Sequence, residues 1–111
     1  MTRAEVKQMI ASLGLPYAYH HFAEGEAPAC PYVIFRFPNS KNFAADDLAF
    51  HKADNLDIEL YTEKRDVSLE DVLEEVLDAN GLFYNKAENY LPSEGLYEIL
   101  YELEACIWES R

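Results

Sequence analysis

The chain has 111 residues, half of them hydrophobic and 14% aromatic. That length fits one domain able to hide about two-thirds of its unfolded surface, and the composition excludes disorder. A formal net charge of -12, from 21 acidic against 9 basic residues, argues against a surface that neutralises nucleic-acid phosphates.

Thr2 followed by Glu5 forms a capping-box pattern, and Val6, Met9, Ile10 and Leu13 repeat at helical spacing before Gly14 and Pro16. A helix is expected from Thr2 to Leu13. Tyr17 to Phe22 reads as a weak strand, followed by a loop that carries Gly25, Pro28 and Pro31. Tyr32 to Phe37, β-branched and aromatic between two prolines, is expected to be a mostly buried strand placed centrally in a sheet. Residues 39–47 are polar and then rich in Ala and Asp, and Leu48 to Lys52 can continue into a clear strand from Leu56 to Tyr61. There Leu56, Ile58 and Leu60 alternate with Asp57 and Glu59, which puts one face on the core and the other in water.

A second helix is expected after Asp66, with Ser68 and Asp71 as a cap-like pair and Asn80-Gly81 as its end. Leu69, Val72, Leu73, Val76 and Leu77 make its apolar stripe, and Glu70, Asp71, Glu74, Glu75 and Asp78 its solvated face. The remainder reads as a hairpin: a strand from Leu82 to Ala87, a turn at Pro92-Ser-Glu-Gly95, and a long strand from Leu96 to about Trp108. In that last strand Glu98, Glu102 and Glu104 fall opposite Tyr97, Ile99, Tyr101 and Leu103. The expected fold is α+β, an antiparallel or mixed β-sheet with two helices packed on one face, in the order αβββαββ within a single domain of residues 1–111.

Catalytic chemistry finds little purchase. His20 and His21 are adjacent, so on a strand they point to opposite faces, and His51 is isolated; no metal site is expected. Cys30 and Cys106 are too few for a disulfide framework, and neither sits in a context that would activate a thiol. Ser93 is turn chemistry, no Gly-rich loop precedes a helix, and the carboxylates are better explained as solvated faces than as a glycosidase pair. The start of the chain has no basic region followed by an apolar run, so neither a signal peptide nor a membrane span is expected. Neither an enzyme nor a cofactor is indicated. Aromatic residues, Tyr32, Phe35, Phe37, Phe43, Phe50, Tyr61, Phe83, Tyr84, Tyr90, Tyr97 and Tyr101 among them, exceed what a small core readily buries, which suggests an interface.

Four segments together resemble a known family: Pro31-Tyr-Val-Ile-Phe35, Asn55-Leu-Asp-Ile-Glu-Leu-Tyr-Thr-Glu-Lys64, the helix ending at Asn80-Gly81, and Ser93-Glu-Gly-Leu-Tyr-Glu-Ile-Leu-Tyr-Glu-Leu103. They are similar to small tail-completion, or tail-terminator, proteins of long-tailed phages and of prophages in low-GC Gram-positive bacteria. The resemblance implies a structural protein that acts by binding. It would assemble as a ring, commonly six-fold, at the head-proximal end of the tail tube, stop tube polymerisation and join the tail to the head-tail connector protein. Its partners would then be other copies of itself, the tail tube protein and the connector, with no specific nucleic-acid binding and no membrane. Its place would be the host cytoplasm during assembly and the virion neck afterwards.

A closed ring needs two unlike patches. The arm from Asn39 to Asp47, with Lys41, Asn42 and Phe43 as contacts, is the expected interface, and Glu98, Glu102 and Glu104 are the expected lumen or acidic surface. A negative lumen would keep passing DNA from sticking. Two other roles compete: a small acidic DNA mimic that inhibits a host DNA-binding protein, with Glu70, Asp71, Glu74, Glu75 and Asp78 standing in for phosphates, and another neck or head-tail adaptor component.

Overall fold

The computed structural model describes residues 2–38, 40–43 and 51–109, with side chains for 2–38 and 55–103. It contains helix α1 (Arg3–Ala11), strands β1 (Tyr17–Tyr19), β2 (Tyr32–Arg36), β3 (Ser40–Phe43) and β4 (His51–Thr62), helix α2 (Val67–Ala79), and strands β5 (Asn85–Leu91) and β6 (Leu96–Glu109). The fold is α+β, with the expected order of helices and strands and one further short strand, β3. The main sheet runs β1-β2-β4-β6-β5, and β3 pairs with the N-terminal part of β4 off that path. β1 lies parallel to β2 while the other pairs are antiparallel, so the sheet is mixed.

Register explains the core. Val33 pairs with Leu60 and Leu60 with Ile99; Phe35 pairs with Ile58 and Ile58 with Tyr101; Leu56 pairs with Leu103. Strand alternation therefore puts all eight on one face. Val6, Met9 and Ile10 of α1 and Leu73 and Leu77 of α2 pack into the same buried cluster, so both helices cover that face. β2 is an interior strand as expected, although β4 holds the middle position.

α1 begins with both halves of the capping box: the Glu5 amide donates to Thr2 Oγ1 at 3.1 Å and the Thr2 amide to Glu5 Oε1 at 2.9 Å. The bonds from Thr2 hold the Glu5 carboxyl below its usual range. α2 is capped differently from the sequence expectation. Asp66, not Ser68, is its N-cap, accepting from the Leu69 amide at 3.0 Å. This choice starts the helix at Val67, two residues before the Leu69 that a Ser68 cap would give, and leaves Ser68 in its exposed first turn.

The end of α2 also corrects the reading of the next strand. The Leu82 amide donates to the Leu77 carbonyl and the Gly81 amide to the Asp78 carbonyl, each at 3.0 Å. With Gly81 at φ 69°, this is a Schellman motif, which needs a left-handed residue that glycine adopts without steric cost. The motif turns Leu82 into the core at 8% exposure and sends Phe83 outward at 91%. β5 accordingly starts at Asn85 instead of Leu82. Its hairpin to β6 turns through residues 92–95, with the Gly95 amide bonded to the Leu91 carbonyl at 2.8 Å.

Candidate functional surface

The sheet face turned away from the helices carries Arg36 from β2, Asp57, Glu59 and Tyr61 from β4, and Glu98 and Glu102 from β6. Alternation against the core residues aims all of them to that side. Register sets Glu98 opposite Tyr61 and Glu102 opposite Asp57. The Tyr61 hydroxyl lies 2.7 Å from Glu59 Oε2 and 2.9 Å from Glu98 Oε2, so one donor bridges two carboxylates. Partial burial, followed by those two hydrogen bonds, pushes the Tyr61 phenol far above its ordinary range. Asn89 donates to the other Glu98 oxygen at 3.1 Å, and Arg36 reaches Asp57 at 3.3 Å and Glu59 at 3.9 Å. Tyr32 stacks on Tyr61 with ring centroids 5.1 Å apart, and Phe22 meets Tyr32 edge-on at 5.2 Å. The result is a carboxylate-rich surface held in place by hydrogen bonds and flanked by an aromatic stack.

Of the expected lumen residues, Glu98 and Glu102 stand on this face, and the side chain of Glu104 lies outside the described ones. Sequence reading missed Tyr61 as the group that joins Glu59 to Glu98. Its position opposite Glu98 emerges from the β4–β6 register and is not visible locally. For the expected arm, Lys41, Asn42 and Phe43 belong to β3, paired with Ala53, Lys52 and His51 respectively; Asn39 and Asp47 lie outside the described residues. The arm's first part is thus strand, one side of a ladder that β4 and the end of β6 extend.

On the helix side, the acidic row of α2 is not uniformly solvated. Glu70 is only 1% exposed and is held by Arg65 at 3.1 Å and Lys86 at 2.7 Å. Glu74 accepts from Lys86 at 2.7 Å, Tyr101 at 2.8 Å and Tyr84 at 3.2 Å. Burial opposes ionisation of both carboxyls, but the donors and cations around them outweigh it and hold both below the usual range. Two of the five carboxylates proposed as phosphate mimics are therefore tied into an internal network, while Val72, expected in the apolar stripe, is 47% exposed.

His20 and His21 depart from the strand geometry expected of them. β1 ends at Tyr19, His20 takes φ 69°, and the two Nδ1 atoms come within 3.0 Å. Even so, no group of three or more His, Cys, Asp or Glu among the described residues is arranged to hold a metal ion. Burial, and secondarily the charge of Glu63, raises the Cys30 thiol above its ordinary value, the opposite of what nucleophilic activation requires. No helix among the described residues is long and apolar enough to cross a membrane. Neither a scan against protein-family models nor a search of curated proteins finds a match for this chain.

Proposed function

We propose that this protein is a structural component of a phage or prophage particle, one that assembles as a ring to terminate the tail tube and join it to the head connector, working by binding and not by catalysis. The observation that carries the reading is the one-sided acidic sheet face. Asp57, buried and paired with Arg36, the partly covered Glu59 and Glu98, and the exposed Glu102 share it, and among the described side chains Arg36 is the cation whose strand position falls there. Such a surface is costly to cover with another acidic protein and well suited to line a passage for DNA, whose phosphates it repels. The resemblance of residues 31–35, 55–64 and 93–103 to tail-terminator proteins supports the same role. Withdrawal of Glu70 and Glu74 into ion pairs weakens the alternative of a DNA mimic, which needs its carboxylates presented in an ordered outer row.

The test is addition of the purified protein to polymerising tail tube protein, read by electron microscopy. The reading expects tubes that stop growing and carry a ring at one end. Uncapped tubes of unrestricted length, together with tight binding to a host DNA-binding enzyme, would replace it with the inhibitor role. Neutralising the carboxylates of the last strand, as Glu98→Gln with Glu102→Gln and Glu104→Gln, is expected to slow DNA delivery from assembled particles while leaving their number unchanged.

A further inference from the structure

Two unlike surfaces lie at opposite edges of the sheet. At the β1 edge, α1 and the strands enclose an open groove of about 620 Å³ whose lining includes Arg3, Lys7, Tyr17, Tyr19, Phe35 and Phe37. Its floor is built of interlocked rings: Tyr19 meets Phe35 edge-on at 5.4 Å and lies 5.7 Å from Phe37. The Tyr19 hydroxyl accepts from the Phe37 amide at 3.2 Å, which pins the ring although it is 51% exposed. Arg3 stands over the Phe37 ring at 5.5 Å. In a chain with 21 acidic and 9 basic residues, a groove that is apolar at the base and cationic along its helix wall selects an aromatic side chain with negative neighbours.

This molecule carries such a group at the other edge. Phe83, 91% exposed, follows directly on the Schellman motif that ends α2, so the hydrogen bonds of Gly81 and Leu82 set where it leaves the helix while its ring stands in solvent. Around it the field is negative. Glu102 shares the shallow depression beside Phe83, and at Tyr84, the next residue, burial, then Glu74 and then Asp78 raise the phenol against the opposing charge of Lys86. A phenylalanine has only two side-chain torsions to lose on docking, and exposed aromatic anchors carry much of the energy of interfaces.

We infer that Phe83 of one copy docks into the Arg3/Lys7 aromatic groove of the next, with Asp78 and Glu102 facing Arg3 and Lys7, so that the chain associates head to tail. Because knob and groove lie at the opposite edges of the sheet, β5 and β1, the contact is heterologous and leaves one free knob and one free groove on any open assembly. Such contacts close into a ring when the rotation between copies permits it. The inference deepens the ring reading and rests on it for its biological setting.

Native mass spectrometry of two complementary variants tests it. Phe83→Ser removes the knob, and Arg3→Glu with Lys7→Glu reverses the groove; all three positions are exposed, and unchanged circular-dichroism melting checks the fold of each variant. Wild-type protein is expected to form a discrete oligomer and each variant to be monomeric. A one-to-one mixture of the two variants should give a dimer that does not grow, since only one working knob meets one working groove. A third variant, Ala4→Trp, fills the groove without changing charge and should also be monomeric.

Oligomers of wild-type size in both Phe83→Ser and the groove variants would overturn the docking while leaving the ring reading on some other surface. Loss of association in the groove variants alone would overturn Phe83 as the occupant and assign the groove to a different segment. A wild-type chain that is monomeric at every concentration would overturn both the docking and ring formation by the free protein.

Discussion

Two clusters of carboxylates in this molecule are built on opposite principles. On the helix side, Glu70 and Glu74 are drawn inward and matched by Arg65, Lys86, Tyr84 and Tyr101, so that the charges close on one another. On the other face, Glu59 and Glu98 are held together by one phenolic proton, and Arg36 pairs with the buried Asp57 at 3.3 Å and lies 3.9 Å from Glu59. The first arrangement belongs to the fold itself, because a buried carboxylate is tolerated only when donors and cations surround it and becomes costly when one of them is removed. The second gathers four carboxylates, Asp57, Glu59, Glu98 and Glu102, around one cation, Arg36, so most of its charge stays uncancelled. An acidic total of 21 residues hides this division, and only the partners reveal it.

The sharpest way to break the contrast is to remove the cation that serves both inner carboxylates. Lys86→Met leaves Glu70, at 1% exposure, with Arg65 alone, and is expected to cost about 3 kcal/mol, since breaking a buried ion pair from one side leaves a charge uncompensated. Urea denaturation measures it. The pH dependence carries the sign. Glu70 and Glu74 are depressed below the 4.5 of a free carboxyl, so their contribution is complete above that pH and is lost as pH falls through their lowered values. Lys86 is opposed by burial but raised above 10.5 by Glu70 and Glu74, so its contribution is complete below that pH and is lost as pH rises through its folded value. In the variant the Lys86 part of the alkaline loss should vanish, leaving that of the raised phenols Tyr61, Tyr84 and Tyr101, and acid unfolding should begin at a higher pH.

A smaller effect is expected at the bridging phenol. Tyr61→Phe removes the one proton shared by Glu59 and Glu98 and should cost about 1.5 kcal/mol, the range of a hydrogen bond to a charged group. A double-mutant cycle with Glu98→Gln sharpens the comparison: if the hydroxyl serves mainly to hold the two carboxylates together, Tyr61→Phe becomes cheaper once one of them is neutral. Strictly additive costs would show that the hydroxyl matters for packing on Tyr32 and not for charge.

Much of this architecture is written locally in the chain. Thr2 and Glu5 announce the start of α1, and the alternation of Leu56, Ile58 and Leu60 with Asp57 and Glu59 announces both the central strand and its two faces. The misses share a cause, which is competition between local signals that only tertiary contacts decide. Asp66 and Ser68 are both good N-caps, and the choice of Asp66 goes with the placement of Leu73 and Leu77 in the core. Leu82-Phe-Tyr84 has strand composition, but Gly81 permits a helix-ending motif that takes Leu82 inward first. Glu70 falls on the charged side by periodicity, yet two cations, one 5 residues before it in sequence and one in the strand β5, make its burial tolerable. Likewise the open face was legible as acidic from Glu98 and Glu102, whereas the Tyr61 bridge depends on a pairing that spans 37 positions.

The smallest expected effect decides how the acidic face can be studied. Glu98→Gln removes a charge from a site where Glu59 already sits on the same hydroxyl, and its carbonyl can still accept from Tyr61 or Asn89. Its stability should therefore change by no more than about 0.5 kcal/mol, the scale of surface substitutions without a lost contact. The salt response should change with it: added salt screens repulsion between partly exposed like charges, so wild type should gain somewhat more stability from salt than the variant does. Thermal melts over a salt series measure both. A loss well above that size would mean that Glu98 is a fold-stabilising acceptor like Glu74, and the two faces would no longer differ in kind. A near-neutral result separates charge from stability on this face, so that, under the proposed role, a change in DNA passage caused by the variant would report the surface potential and nothing about folding.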